Sequence, residues 1–144
     1  HLIPIVLQVA LSQRKNINIF GDDWATPDGT CVRDYIHVDD LCKAHLLALE
    51  HLDFGANFKL NLGTGNGFSV RQIIETCRQV TNFDIEEVVG SRRPGDPPEL
   101  VADSSLANKL LGWEPQYLSP KAIIETAWAW HQSHPHGYTG NIAK

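Results

Sequence analysis

The chain has 144 residues, of which 42% are hydrophobic and 20% charged, and its 17 acidic and 12 basic side chains give a formal net charge of −5. This composition is ordinary for a globular domain and excludes a chain that is disordered as a whole. The acidic balance disfavours nucleic-acid binding, and no apolar run approaches the roughly 20 residues that cross a bilayer. We therefore expect a soluble, cytoplasmic protein without a nucleic-acid or membrane partner.

Hydrophobic periodicity predicts helices and strands that alternate along the chain. The predicted elements of the first part are a helix over 2–11, a strand over 16–20, a loop of turns over 21–30, an extended run over 31–38, and a helix that begins beside Asp39 and Asp40. Those of the second part are a strand over 58–62, a helix from Ser69, a strand over 85–89, a stiff loop over 90–98, a helix over 104–111 and a last helix from Ser119 to about His134. This alternation indicates an α/β or α+β class.

The cysteines and the first residues also constrain the interpretation. Cys31, Cys42 and Cys77 match neither a disulfide framework nor a CxxC motif, so we expect buried free thiols. Because the sequence opens with His1 and contains no Met, we expect a piece of a longer chain.

The segment Gly63-Thr64-Gly65-Asn66-Gly67 follows a predicted strand and precedes a helix, as a dinucleotide-binding fingerprint does. The GxGxxG pattern fails at Phe68, where the third glycine would stand, and Asp84 precedes its strand instead of closing it. We interpret the glycines as those of a tight strand-to-helix turn.

Tyr117 and Lys121 have the YxxxK spacing of short-chain dehydrogenases, whose two side chains lie on one helical face. Ser119 and Pro120 predict that a helix begins between them. Tyr117 would then lie outside the helix, so we reject a catalytic pair.

Two polar clusters have ordinary explanations. His131, His134 and His136 straddle a helix end and have no acidic or Cys ligand nearby in sequence, so we expect solvent-facing histidines and no metal site. Glu86 and Glu87 are expected on the exposed side of a strand.

Two arginines suit an anionic ligand. Arg33 lies in an apolar strand, where an unpaired guanidinium would be costly to bury, and Arg93 lies in a proline-stiffened loop close to Asp96. Two guanidinium groups can bind a diphosphate bidentately. Alternatively, both arginines form structural ion pairs. The candidate partners are Asp34, Asp39 or Asp40 for Arg33, and Asp96 for Arg93. Spacing alone leaves the two interpretations even.

In combination and order, several motifs resemble the UDP-glucose 4-epimerase family of the extended short-chain dehydrogenase/reductase superfamily. They are His1-Leu2-Ile3-Pro4, Ile19-Phe20-Gly21, residues 26–38, Asn61-Leu62-Gly63, Arg92-Arg93-Pro94-Gly95-Asp96, Leu111-Gly112-Trp113 and residues 134–138. The resemblance implies an α/β fold in which residues 1–144 form the C-terminal UDP-sugar-binding portion of a Rossmann-type enzyme and lack its N-terminal nucleotide-binding half.

The resemblance also implies roles for seven residues. Arg33 and Arg93 hold the diphosphate, Asp96 binds the uridine ribose, Asn18 and Phe20 lie along the uracil, Leu2 lines the nucleotide pocket, and Leu100 helps to set the room for the sugar. NAD, bound by the missing half together with the catalytic Tyr and Lys, would oxidise and re-reduce C4 of the hexose. We therefore expect no catalytic and no cofactor-binding residue in this chain.

Partners and alternatives follow from the same resemblance. It implies a homodimer whose contact lies mainly in the missing half. It also implies that the 58–62 strand and the helix after Asp39 pack against that half, so the chain alone should expose a sheet edge and apolar surface and be marginally stable. Another nucleotide-sugar epimerase or a dehydratase is one alternative, and a non-catalytic nucleotide-sugar-binding module is another. The segments Asp28-Gly29-Thr30 and 134–138 favour the UDP-glucose 4-epimerase family over the first alternative.

Overall fold

The computed structural model describes residues 1–52 and 57–138. Within those ranges the elements, in chain order, are α1 (Leu2–Ala10), β1 (Ile17–Phe20), β2 (Val32–Asp34), α2 (Val38–Glu50), β3 (Gly67–Ser69), α3 (Val70–Thr81), β4 (Glu87–Gly90), β5 (Glu99–Leu100), α4 (Ser105–Leu111) and α5 (Pro120–Ser133). The predicted α/β class is confirmed. None of these described helices is both long and apolar enough to cross a bilayer.

The strands form two small sheets. β1 and β4 pair in parallel, from Ile17 beside Glu87 to Phe20 beside Gly90. In the other sheet β2 is central, antiparallel to β3 and parallel to β5. Because β1 and β4 are parallel, the loops that follow them leave from the same end of their sheet.

The main core lies among α1, α3, α5 and β1. Its fully buried side chains include Val6, Leu7, Ile19, Ile73, Ile74, Ile85 and Ile124. A second core lies between α2 and α4 and is centred on Trp113, whose indole N–H donates to the carbonyl oxygen of Asp40 over 2.8 Å.

Two helix starts predicted from local sequence, those at Ser69 and Ser119, are confirmed. Ser69 and Gln72 form a capping box: the Ser69 Oγ accepts from the Gln72 N–H over 3.0 Å, and the Gln72 Oε1 accepts from the Ser69 N–H over 2.8 Å. Ser119 caps α5, which begins at Pro120. Tyr117 therefore lies outside the helix, and its ring stacks on His37 with 3.7 Å between centroids.

The strand predicted over 58–62 is wrong. Phe58, Leu60 and Leu62 do alternate onto the second core, but the segment belongs to no strand. No described strand lies beside it to complete the backbone hydrogen bonds that a sheet requires.

The extended run predicted over 31–38 is too long. Only Val32–Asp34 forms a strand, and α2 already begins at Val38 because the His37 Nδ1 accepts from the Asp39 N–H over 3.0 Å and caps the helix.

Glu87 was expected on an exposed strand face, and that prediction is wrong. Its side chain is only 19% exposed and lies 2.9 Å from the Arg78 guanidinium and 3.5 Å from that of Arg71. Both arginines belong to α3, so the Glu87 side chain points towards this helix. Glu86 is exposed as predicted.

The expectation of three buried thiols is correct for Cys31 and Cys77 and wrong for Cys42. Burial raises the pKa of the Cys77 thiol to about 12.

The α2 helix, to which Cys42 belongs, has several exposed apolar side chains. Val38, Leu46 and Leu49 on the helix, and Leu52 just beyond its end, are each at least 52% exposed. An apolar surface on this helix was expected and is confirmed.

Candidate functional site

A cavity of about 280 Å³ opens between α1, β1, β2 and the loop that follows β4. Its lining includes six of the seven predicted binding residues: Leu2, Asn18, Phe20, Arg33, Arg93 and Asp96. These residues come from four separate segments of the chain. The fold thus brings them together from positions far apart in sequence.

The two β1 residues reach the cavity because of strand alternation. Ile17 and Ile19 are buried in the main core, whereas Asn18 and Phe20 face the other way and are exposed. Leu2 lies in the first turn of α1, which packs against the same strand. One polar and two apolar side chains therefore form one wall of the cavity.

Arg33 does not pair with the aspartates that lie near it in sequence. Its guanidinium Nη2 lies 3.7 Å from the Asp96 Oδ1, and its Nη1 donates to the Val32 carbonyl oxygen over 2.7 Å. The Asp40 carboxylate instead accepts from two backbone N–H groups, those of Gln116 and Tyr117, each over 3.0 Å. The proposed structural pairs of Arg33 with Asp34, Asp39 or Asp40 are absent from the described part of the chain.

Arg93 does not pair with Asp96. Its guanidinium carbon lies 4.2 Å from the centre of the Phe20 ring, a cation–π contact. Arg93 and Asp96 are linked through the backbone, where the Asp96 N–H donates to the Arg93 carbonyl oxygen over 3.3 Å. Arg33 and Arg93 thus border one cavity, with the single carboxylate of Asp96 paired to one of them.

The neighbouring Arg92 has a different set of contacts. Its Nε donates to the Asp23 carboxylate over 2.7 Å, and its guanidinium carbon lies 4.2 Å from the centre of the Trp24 ring. The hydrogen bond from Arg92 lowers the pKa of Asp23. Sequence reasoning missed this group, since its only sequence signal is the tandem Arg92-Arg93.

Gly21 makes the close approach of these side chains possible. Its φ is +86°, a conformation that favours glycine. A Cβ at this position would lie 2.6 Å from the Arg92 Cγ and 2.8 Å from the Trp24 Nε1. Any larger residue would therefore push Arg92 or Trp24 out of place.

Tyr35 was not singled out from the sequence, yet it lines the same cavity. Burial raises the pKa of its hydroxyl to about 12, although the positive charge of Arg33 acts in the opposite direction. The phenol is consequently neutral near pH 7 and can donate a hydrogen bond.

Leu100 is the one predicted site residue that lies outside this lining. It belongs to β5, stands beside Arg33 in the parallel register and is well exposed. Leu100 is therefore a neighbour of Arg33 on the adjacent strand but does not line the cavity.

The glycine-rich segment 63–67 bends the chain, but it is not the strand-to-helix turn that was predicted, because residues 58–62 form no strand and β3, which begins at Gly67, precedes α3. The Thr64 and Gly65 N–H groups donate to the Asp34 carboxylate over 2.9 and 3.0 Å, and the Ala102 N–H donates to it over 3.3 Å. The Thr64 and Gly65 amides are therefore already bonded within the chain.

Two of the three histidines at the end of α5 pack on an aromatic side chain, which corrects the expectation that they face solvent, whereas His136 is exposed as expected. His134 stacks on Trp130 with 5.1 Å between ring centres, and His131 meets the same ring edge-on at 5.0 Å. Partial burial lowers the pKa of His131. Across residues 1–52 and 57–138 no group of three or more His, Cys, Asp or Glu side chains could hold a metal ion.

Comparison with known proteins shows extensive similarity to one group of enzymes. The model of the NAD dependent epimerase/dehydratase family matches residues 1–63. UDP-glucose 4-epimerase of Halalkalibacterium halodurans is 57% identical over 140 residues, a match that covers 96% of this chain and 42% of the relative. The enzyme of the same name from Streptomyces lividans is 53% identical over 96% of this chain and 41% of its own length.

Solved structures give the same result. The crystal structure of UDP-glucose 4-epimerase from Bifidobacterium longum, in complex with NAD+ and UDP, superimposes with a TM-score of 0.90 at 40% identity and covers 96% of this chain. The match spans 41% of that structure, so the chain spans about two fifths of the length of these relatives. Over nearly its whole length this chain is similar to the C-terminal portion of UDP-glucose 4-epimerases, it has part of the extended short-chain dehydrogenase/reductase fold, and its residues 1–63 match the NAD dependent epimerase/dehydratase family.

Proposed function

We propose that this chain is the UDP-sugar-binding part of a UDP-glucose 4-epimerase, which interconverts UDP-glucose and UDP-galactose by oxidation and reduction at C4 of the hexose. The observation that carries the proposal is the position of Arg33 and Arg93 on one cavity, together with Asp96. Two guanidinium groups on one cavity suit the two adjoining phosphates of a nucleoside diphosphate. Similarity to UDP-glucose 4-epimerases over nearly the whole chain supports the same ligand.

Each cavity residue has a role in this proposal. Arg33 and Arg93 bind the diphosphate, and Asp96 accepts a hydrogen bond from a ribose hydroxyl while it orients Arg33. Asn18 offers an amide to the uracil, which lies along Phe20, and Leu2 closes the apolar side. Leu100, next to Arg33 on the neighbouring strand, helps to set the room for the sugar.

NAD supplies the oxidation and reduction at C4 when it is bound. The Thr64 and Gly65 amides of the 63–67 turn are not available to it, because both are already bonded to Asp34. We propose that the N-terminal half of the protein binds NAD and contributes the catalytic Tyr and Lys. The homodimer contact is assigned to that half as well.

The residues of this chain act by binding and orientation. Arg33, Arg93 and Asp96 hold the UDP group while the hexose turns to present either face. Binding energy from a remote, unreacting part of a substrate contributes to catalysis when it holds the reacting atoms in position. Loss of either arginine should therefore lower kcat as well as weaken substrate binding, and both changes lower kcat/KM.

The test is conversion of UDP-galactose to UDP-glucose by the protein as encoded, with whatever precedes and follows this chain. We expect conversion in both directions, inhibition by added UDP, and a roughly hundredfold lower kcat/KM in Arg33→Ala, since a charge-assisted bidentate contact is lost. Arg14→Ala is the control, because Arg14 is exposed and bonded to Gln8 away from the cavity. Absence of conversion with NAD supplied would contradict the proposal.

A further inference from the structure

Arg92, Asp23 and Trp24 form a contact group that we name the Arg92 clasp. Arg92 is held in two ways, by a hydrogen bond to the Asp23 carboxylate and by a cation–π contact with the Trp24 ring. A further hydrogen bond joins the Arg92 guanidinium to the Asp23 carbonyl oxygen. The Trp24 indole N–H in turn donates to the Phe20 carbonyl oxygen over 3.1 Å.

The clasp joins the loops that leave β1 and β4. The last backbone bond between the two segments runs from the Gly21 N–H to the Gly90 carbonyl oxygen, 3.0 Å long. Beyond it the strands no longer pair, and the Arg92 side chain supplies the connection instead. The loop that contains Arg93 is therefore fixed to the β1 loop one residue before Arg93.

Arg93 is also restrained on its other side. The Asp96 N–H donates to the Arg93 carbonyl oxygen, and Asp96 lies beside Arg33. The Arg93 guanidinium lies over the Phe20 ring, and the Phe20 carbonyl oxygen accepts the hydrogen bond from Trp24. Phe20 therefore connects Arg93 to the Arg92 clasp. An exposed arginine without such support loses much rotamer freedom when a ligand orders it.

We infer that the Arg92 clasp positions Arg93 for the phosphate groups of the ligand. Arg92 is a positioning residue in this inference, because its own guanidinium is already engaged by Asp23 and Trp24. The inference rests on the proposed function, since it assumes that Arg93 binds phosphate. It predicts that disruption of the clasp weakens binding of the phosphate groups while the nucleoside contacts persist.

The first experiment compares UDP with uridine by calorimetric titration of the protein as encoded. Arg92→Lys keeps the charge but loses the planar fork, and Arg92→Ala removes the side chain. We expect both variants to bind UDP roughly threefold to tenfold more weakly, in keeping with the cost of ordering one arginine and its loop. Affinity for uridine should stay within about twofold of the unsubstituted protein. Arg14→Ala should leave both affinities unchanged.

The second experiment distinguishes positioning from direct phosphate binding and from general destabilisation. If Arg92 acts through Arg93, Arg92→Ala should cause no further loss of UDP affinity in an Arg93→Ala background. A full additional loss in that background would overturn the inference, as would unchanged UDP affinity in both single variants or an equal loss for uridine. If the unsubstituted protein failed to bind UDP, both the proposed function and this inference would be overturned.

Discussion

The Arg33 guanidinium and the Asp96 carboxylate lie 3.7 Å apart, although one belongs to β2 and the other to the loop after β4. The pair connects the two segments that supply the arginines of the cavity. It also leaves Arg33 about a quarter exposed, with 24% of its side chain accessible. A partly exposed pair of this kind contributes little to stability by itself, so its main consequence is the orientation of Arg33.

Asp96→Ala should weaken UDP binding roughly tenfold, because the ligand loses a ribose contact and Arg33 loses its orientation. Calorimetric titration measures the change. Asp84→Ala is the control, since Asp84 is an exposed carboxylate outside the cavity. Equal UDP affinity in Asp96→Ala and Asp84→Ala would contradict the role of Asp96.

Asp28 should stabilise the fold in a pH-dependent way. Burial raises the pKa of this carboxyl, but hydrogen bonds from Ser69 and Thr30 outweigh burial and lower it below 3.8. A lowered pKa in the folded state means that the stabilisation is present above the ordinary pKa and is lost as the pH falls through the folded value. Asp28→Asn should therefore cost about 1 to 2 kcal/mol at pH 7.

Thermal unfolding between pH 7 and pH 2.5 tests this prediction. The difference in melting temperature between the unsubstituted protein and Asp28→Asn should begin to shrink below about pH 4, where the carboxyl of the unfolded chain becomes protonated, and should vanish at the lower pH where the folded carboxyl is protonated as well. Asp22→Asn alters an exposed carboxylate of the same loop and should show little difference at either pH. A difference for Asp28→Asn that does not change with pH would rule out a role for its charge.

Glu87 and Glu86 provide a matched pair of adjacent residues. Glu87→Gln should lower the free energy of unfolding by about 1 to 2 kcal/mol, because Glu87 is mostly buried and lies against Arg78 and Arg71. Glu86→Gln should change it by less than about 0.5 kcal/mol, since Glu86 is exposed. Denaturant unfolding measures both, and equal values would show that the ion pairs of Glu87 are not stabilising.

The exposed apolar side chains of α2 should bind a hydrophobic dye when this chain is expressed alone. Leu46→Lys and Leu49→Lys should reduce dye fluorescence without lowering the melting temperature of that chain, since both residues are exposed. Leu118→Lys, at an exposed leucine outside α2, is the control. A sharp, cooperative melt together with no dye binding would contradict the expected marginal stability.

Local signals predicted the parts of the fold that depend on neighbouring residues. The capping box of Ser69 and Gln72 needs only four consecutive positions, and it was found where predicted. The strand over 58–62 failed because a strand also needs a partner, and the alternation of Phe58, Leu60 and Leu62 records burial alone. The two-residue strand β5 has no periodicity from which to predict it.

In the site, too, individual residues could be predicted from local sequence, whereas contacts between distant segments could not. Arg33 could be singled out because an apolar strand is an unusual position for a charge, and Arg93 because it lies in a proline-stiffened loop close to Asp96. The pairing of Arg33 with Asp96 could not be predicted, because it depends on the approach of β2 to a loop far along the chain. The Arg92 clasp was missed for a similar reason, since it exists only once β1 and β4 pair in parallel.

The most direct test of the account is calorimetric titration of UDP against Arg33→Ala and Arg93→Ala in the protein as encoded, with Lys121→Ala as a control in which a cation outside the cavity is removed. The account predicts that each arginine variant binds UDP at least about tenfold more weakly, while the control is unchanged. Unchanged UDP affinity in both arginine variants would contradict the claim that these two side chains bind one diphosphate.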